Sequence, residues 1–126
     1  MEIEKFLDAA ESGDMNELTR LLSSGVDVNA SDEHQRTALL KAAKHGHLNV
    51  VQFLVENGAD VNIKDNRGTN ALYWASTNGH LDIVRYLVSQ NSEVDVTDDR
   101  GWSAKDQAVS HHYDSIVSEL TAAGAN

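Results

Sequence analysis

The sequence contains no cysteine and no proline, and it has only half as many basic as acidic residues. Without cysteine the chain can form neither disulfides nor thiolate metal sites, which is compatible with a reducing compartment. Ten Lys and Arg residues against twenty Asp and Glu residues give a formal net charge of −10. A protein body of that charge repels nucleic acid and anionic membranes, so we expect neither as a partner.

Long hydrophobic runs are also missing, so the sequence predicts no membrane-spanning helix. The first residues, Met1 to Lys5, lack the basic-then-apolar layout of a signal peptide. We therefore expect a cytoplasmic or nuclear protein and not a secreted one. The length of 126 residues suits a single domain, and a hydrophobic content of 40% is ordinary for a globular chain.

One stretch of the chain recurs at a constant offset. Residues 42–62 contain a helix end, a glycine turn, a second helix, a glycine stop and a polar loop. Residues 75–95 repeat most of this pattern, so that Gly46 corresponds to Gly79 and Leu54 to Leu87. A fixed period of about 33 residues predicts stacked repeats, each one a helix–turn–helix unit.

The period divides the chain into four copies, which are residues 1–31, 32–64, 65–97 and 98–126. The two outer copies carry polar residues where the inner copies are apolar. Examples are Glu17 and Arg20 in the first copy, and Lys105 and Glu119 in the last. A terminal repeat has a neighbour on one side only, so its outer face should be polar. We therefore expect two capping repeats around two fuller ones, which favours a complete small protein over a segment of a larger one.

Helix start and stop signals are clearest in the second copy. Thr37 is expected to cap a helix that begins at the next residue, because its hydroxyl can accept a free amide hydrogen. Gly46 supplies the left-handed residue that ends this helix. A second helix is predicted over residues 48–57 and ends at Gly58. Residues 59–64 then alternate apolar and polar side chains, which predicts an extended segment.

These residues resemble the ankyrin repeat family along the whole chain. The second copy matches the family pattern at Asp32, Thr37, Leu39, Ala42-Ala43, Gly46-His47 and 58–62, and the third at Asp65, Gly68, Leu72, Ala75, Gly79-His80, Ile83-Val84 and Leu87. The resemblance implies an all-α solenoid of stacked helix–turn–helix units with projecting β-turn or hairpin loops. It also implies a concave face lined by these loops and by the first helix of each repeat.

Two departures from the family pattern concern its Thr-Pro-Leu-His segment. The family's proline is replaced by alanine in the last three copies, at Ala38, Ala71 and Ala104. Its histidine is replaced as well, by Leu40, Tyr73 and Asp106. The first helices therefore lack the preset φ of proline. Divergence and engineering both remain open as the origin of these departures.

The residues give no support for an enzyme or for a metal or cofactor site. His47 and His80 recur at the family's Gly-His position, where we expect them to brace loops. His111 and His112 are consecutive, so they point to different sides of a helix, and no third metal ligand has suitable spacing. No phosphate-binding motif occurs, and a repeat stack offers a groove and not a closed pocket for Ser-His-Asp chemistry.

If the recurring residues are scaffold, recognition must reside at exposed positions that differ between copies. These positions are the turn tips and the outward sides of the first helices. Trp, Tyr and Arg, which most often anchor interfaces, occur among them. The predicted partner-binding residues are Arg36, Lys41, Lys44, His45, Arg67, Tyr73, Trp74, Asn78, Arg100 and Trp102. The alternative role for Trp74 is to cover the groove between repeats, and for Trp102 to pack the last repeat.

The predicted concave face is expected to be locally basic. Half of the chain's Lys and Arg residues lie there, namely Arg36, Lys41, Lys44, Arg67 and Arg100. The acidic residues expected there are fewer, namely Glu33, Asp99 and Asp106. Such a groove favours a protein partner in which acidic residues flank apolar anchors.

Two functions follow from the sequence and remain open. The first is a monomeric, non-catalytic protein-binding module that uses the concave groove. The second is an engineered or passive repeat scaffold without a specific natural ligand. The family resemblance further implies that Asn29 and Asn62 are candidates for asparagine hydroxylation.

Overall fold

The computed structural model describes all residues, 1–126, and contains eight helices. They are α1 (Glu2–Ser12), α2 (Met15–Ser23), α3 (Ala38–His45), α4 (Leu48–Glu56), α5 (Ala71–Thr77), α6 (Leu81–Ser89), α7 (Ala104–Ser110) and α8 (Asp114–Ala122). One antiparallel pair falls in each predicted copy. The first helices α1, α3, α5 and α7 pack on one another in an inner row, and α4, α6 and α8 pack in an outer row. The predicted all-α repeat solenoid is confirmed.

Side-chain caps begin three of the four inner helices, and the one at Thr37 is the cap that the sequence predicts. The hydroxyl of Thr37 accepts a hydrogen bond from the amide of Leu40 at 3.3 Å. Asn70 and Ser103 occupy the same position before α5 and α7, and their side-chain oxygens make the equivalent bond. At the other end of α3, Gly46 has φ 81°, the left-handed conformation predicted for it.

The loop after α4 differs from its prediction. Residues 59–64 were expected to be extended throughout, but residues 61–62 form a turn. The cause is local, because a carboxylate oxygen of Asp60 accepts a hydrogen bond from the amide of Asn62 at 2.9 Å. The three long loops, residues 24–37, 57–70 and 90–103, are called fingers below. Two of them contain a single antiparallel bridge, Ser31 with Thr37 and Thr97 with Ser103.

Imidazole rings connect the second repeat to the first and the third repeat to the second. The Nε2–H of His47 donates to the carbonyl of Glu11 at 2.8 Å, and that of His80 donates to the carbonyl of Lys44 at 3.0 Å. The His80 ring lies directly against Gly46, where an added Cβ would approach it to 2.7 Å. Both histidines therefore brace one repeat against the preceding one, through helix carbonyls and not through the loops that the sequence predicted.

The core is a continuous apolar seam between the two rows of helices. Phe6, Leu39 and Leu72 occupy one repeat position in the first three copies, and all are buried. The fourth copy has Lys105 at that position, where it is only half-buried. The exposed side of α7 therefore differs in chemistry from the sides of α3 and α5 that receive the next repeat. None of the eight helices combines the length and apolar character needed to cross a membrane.

Candidate functional site

Three aspartates, one at the same position in each of the last three copies, organise the tips of the fingers: Asp32, Asp65 and Asp98. In each, one carboxylate oxygen accepts two backbone amides and closes the turn. For Asp98 the donors are the amides of Arg100 at 2.8 Å and Trp102 at 3.0 Å. The amides of His34 and Arg36 make the same two bonds to Asp32, and those of Arg67 and Thr69 make them to Asp65. This use of one oxygen leaves the second oxygen of each carboxylate facing the groove.

The second oxygens pair with cations that were predicted to bind a partner. The three N–O distances are 3.4 Å for Lys41 with Asp32, 3.5 Å for Arg36 with Asp65, and 3.7 Å for Arg67 with Asp98. Counting only Glu33, Asp99 and Asp106 as the acids of this face was therefore wrong. The groove is less basic than expected, because the turn aspartates compensate three of its five cations.

Hydrogen bonding sets the ionisation of two turn aspartates. Burial acts to raise the pKa of Asp32, but amide hydrogen bonds and Lys41 outweigh it, so the pKa is lowered. Burial likewise acts to raise the pKa of Asp98. Hydrogen bonds from the Tyr73 hydroxyl and from backbone amides, together with Arg67, lower this pKa on balance. Both carboxylates are therefore charged at neutral pH.

Trp74 lies at the centre of the groove and is half-buried there. Three cationic groups surround its ring, at distances from the ring centroid of 5.0 Å for Lys44, 5.4 Å for Arg36 and 5.7 Å for Arg67. The indole N–H also donates to Asp65 at 3.4 Å. Lys44 and Arg36 come from the second copy and Trp74 from the third, so the cluster spans adjacent repeats.

Tyr73 does not belong to the exposed surface, and its prediction as a partner-binding residue is wrong. Its side chain turns toward α7, and the residue is only 2% exposed. The hydroxyl donates to Asp98 at 2.7 Å and accepts from the side-chain amide of Gln107 at 3.0 Å. Burial, followed by the hydrogen bond to Asp98, raises the pKa of Tyr73. The tyrosine therefore joins two repeats.

The remaining predicted residues are divided among three places. Arg36, Lys41, Lys44 and Trp74 line a narrow cleft of about 30 Å³. Arg67, Arg100 and Trp102 line a wider one of about 250 Å³. His45 and Asn78 line neither cleft. The His45 imidazole lies 3.3 Å from the Glu11 carboxylate, and the Asn78 side chain donates to the carbonyl of Trp74.

Two cations of the predicted set form no ion pair within the chain. Lys44 contacts the Trp74 ring and has no carboxylate partner. Arg100 is exposed, and only its backbone amide is used. A partner carboxylate can approach either of them without displacing an internal one.

A comparison with protein families gives one match, to a model described as "Ankyrin repeats (3 copies)", over residues 6–98 and 64–126. The chain belongs to the ankyrin repeat family. A comparison with curated proteins gives no match. Ankyrin repeats generally act in protein–protein interaction and are typically non-catalytic, so the general class of function that the sequence predicted is supported.

In this ankyrin domain, the side chains of Asn29 and Asn62 connect adjacent fingers. The side-chain oxygen of Asn29 accepts from the amide of Asp60, and that of Asn62 from the amide of Glu93, both at 2.9 Å. Asp95 holds the same position in the third copy and accepts from the amide of the last residue. Hydroxylation of the two asparagines stays a prediction.

The ankyrin groove presents hydrogen-bond donors, cations and an aromatic ring on an open surface. No group of three or more His, Cys, Asp or Glu side chains is placed to hold a metal ion. The carboxylates that face the groove already accept hydrogen bonds or ion pairs from the chain itself. This arrangement can bind a segment rich in hydrogen-bond acceptors.

Proposed function

We propose that this ankyrin repeat domain is a monomeric, non-catalytic module of the cytoplasm or nucleus that binds a partner protein in its groove. The observation that carries the proposal is the cluster at Trp74, where cations from two repeats surround a half-buried indole. Lys44 and Arg100 remain available to a partner's carboxylates, because neither has an internal one. The partner that fits is a segment with acidic residues beside apolar anchors.

A passive scaffold is the second candidate, and a specific observation favours it. Arg36, Lys41 and Arg67 are already paired within the chain, and the Trp74 indole donates to Asp65. A groove whose groups satisfy one another needs no partner. Under this alternative, Trp74 covers the junction of two repeats and no protein binds specifically.

Affinity capture from cytoplasmic and nuclear fractions distinguishes the binding module from the passive scaffold. Two variants with the same charge reversal are compared, one inside the groove and one outside it. Lys44→Glu reverses a charge that has no internal partner, so the fold should be retained. Lys5→Glu makes the same change on α1, at an exposed lysine outside the groove that also forms no ion pair. We expect the wild type and Lys5→Glu to retain the same protein, and Lys44→Glu to lose most of it.

A Trp74→Ala variant extends the test, with circular dichroism and urea unfolding to show that it remains folded. We expect it to lose the same protein as Lys44→Glu. A protein that both variants retain at wild-type levels would remove the groove from the proposal. If the wild type reproducibly retains nothing beyond what an unrelated control protein retains, the passive scaffold is the better account.

A further inference from the structure

An additional cleft lies at the end of the inner row of helices, next to the groove. We call it the end cleft, and its main side chains are those of Arg100, Trp102, Lys105 and Val109. Its volume is about 500 Å³, and its rim also includes Gly101, Asp106, Ser110 and Asn126. Trp102 is 42% exposed and Val109 is 54% exposed, so two large apolar side chains stand in solvent here.

Arg100 lacks the internal carboxylate partner that its counterpart in the third copy has. Arg67 stands one repeat before it, at the same place in its own turn, and pairs with Asp98 in the following turn at 3.7 Å. Arg36 also pairs forward, with Asp65 at 3.5 Å. No carboxylate of the chain lies within ion-pair distance of Arg100, although Asp99 next to it pairs with Arg67.

The other polar groups of the end cleft leave it rich in donors. Lys105 forms no ion pair, and the Trp102 indole N–H makes no hydrogen bond within the chain. Asp106 on the rim accepts a hydrogen bond from the amide of Ser103 at 2.9 Å as part of a helix cap. Nearby Asp99 pairs with Arg67 at 3.5 Å.

We infer that the end cleft binds an acidic segment of the partner, with Asp or Glu next to one apolar side chain. The partner's carboxylate pairs with Arg100 and Lys105, neither of which has a carboxylate partner within the chain. Its apolar side chain packs on Trp102 and Val109, which lie beside these cations. The inference rests on the proposed function, and it moves the main anchor from the centre of the groove to its end.

Charge and apolar area both favour this location over the centre of the groove. At the centre only Lys44 is free of an internal carboxylate, whereas a partner's carboxylate competes with Asp65 and Asp98 for Arg36 and Arg67. At the end cleft no internal carboxylate has to be displaced. Because exposed ion pairs alone contribute little, burial of the Trp102 ring must supply much of the affinity, and aromatic rings are the common anchors of interfaces.

Peptide binding followed by NMR on the full chain tests the inference. The probe is a set of short synthetic peptides in which Asp or Glu flanks a single Leu, Ile or Phe. A matched set carries Asn or Gln in place of every acid. The indole N–H signals of Trp102 and Trp74 report separately on the end cleft and on the centre of the groove. We expect acidic peptides to shift the Trp102 signal first, and the amide set to shift neither.

Charge reversals then identify the binding groups. We expect Lys105→Glu and Arg100→Glu each to raise the Kd of the best acidic peptide about tenfold, since each replaces an attraction by a repulsion. Lys5→Glu, the matched reversal outside both clefts, should leave the Kd within about twofold, because distant exposed charges are screened. The affinity should also fall as salt is added.

Three results would overturn the inference. The first is that no acidic peptide shifts the Trp102 indole signal. The second is equal binding of the acidic and amide sets, which would remove the role of charge. The third is a peptide that shifts Trp74 and weakens with Lys44→Glu but not with Lys105→Glu. In that third case the proposed function stands and only the end cleft fails.

Discussion

Removing the hydroxyl of Tyr73 tests whether this side chain joins the third and fourth repeats. In Tyr73→Phe the ring remains to fill the same buried space, so no cavity is created. What is lost is the hydrogen bond to Asp98 at 2.7 Å and the one received from Gln107 at 3.0 Å. Both partners lie in the last copy, so the loss falls on the contact between α5 and α7.

The expected loss of stability follows from the groups involved. A hydrogen bond to a charged group contributes about 1.5–3 kcal/mol, and one between neutral groups about 0.5–1.5 kcal/mol. Gln107 is half-buried, so its side chain can turn to water and recover part of its bond. Asp98 keeps two backbone amides and the guanidinium of Arg67. We therefore expect Tyr73→Phe to lower the free energy of unfolding at pH 7 by about 2 kcal/mol.

The pH dependence of this loss has a definite sign. The pKa of Asp98 lies below its ordinary value of 3.8 in the folded protein. A carboxyl with a lowered pKa stabilises the fold above its unfolded pKa, and that contribution disappears as the pH falls through the folded value. The Tyr73 hydroxyl is one cause of the lowered pKa. The stability difference between wild type and Tyr73→Phe should therefore be largest near pH 7 and shrink below about pH 4.

Urea unfolding at a series of pH values between 7 and 3 measures both quantities. Tyr86→Phe is the matched control, because Tyr86 on α6 is half-buried and its hydroxyl makes no hydrogen bond within the chain. It should change the free energy of unfolding by less than about 0.5 kcal/mol. A Tyr73→Phe effect no larger than that of Tyr86→Phe would refute the reasoning. A large effect that stays constant down to pH 3 would refute the part assigned to Asp98.

Three further predictions concern the contacts between repeats. His80→Ala removes the hydrogen bond to the Lys44 carbonyl and the ring packed on Gly46, so urea unfolding should show a loss of about 2 kcal/mol. Gly46→Ala should cost at least about 1 kcal/mol more than Gly58→Ala: both glycines have positive φ, but only at Gly46 does the new Cβ meet a ring. Asn62→Ala removes the acceptor of the Glu93 amide, so hydrogen exchange at that amide should become faster. Exchange at the Asp60 amide, which donates to Asn29, should change little.

The scaffold could be predicted because its signals are local and recur. A capping threonine before a helix or a glycine after it acts through backbone geometry alone, so Thr37 and Gly46 behave as expected. The repeat period then places the equivalent elements of the next copy. The error at residues 59–64 has the same local character, since an alternating pattern gave no weight to the carboxylate of Asp60.

The binding surface was harder to predict because it depends on how neighbouring repeats face each other. Tyr73 and Trp74 are adjacent on α5, about 100° apart around the helix. Their order in the sequence does not say which one meets α7 and which one faces the groove. The turn aspartates did carry a signal, namely their recurrence at the repeat spacing. Recurrence is typical of scaffold residues, so it does not indicate that the second carboxylate oxygen of each aspartate contributes negative charge to the groove.

Ion pairs between neighbouring turns distinguish the three turn aspartates and the arginines around them. Each turn aspartate after the first receives an arginine from the preceding turn, Arg36 for Asp65 and Arg67 for Asp98. The first, Asp32, has no such arginine and pairs instead with Lys41 of its own repeat. The last copy has the opposite surplus, a turn arginine without an aspartate. Arg100 therefore differs from Arg67, its repeat counterpart, in having no carboxylate partner, and Trp102 and Val109 place exposed apolar surface beside it.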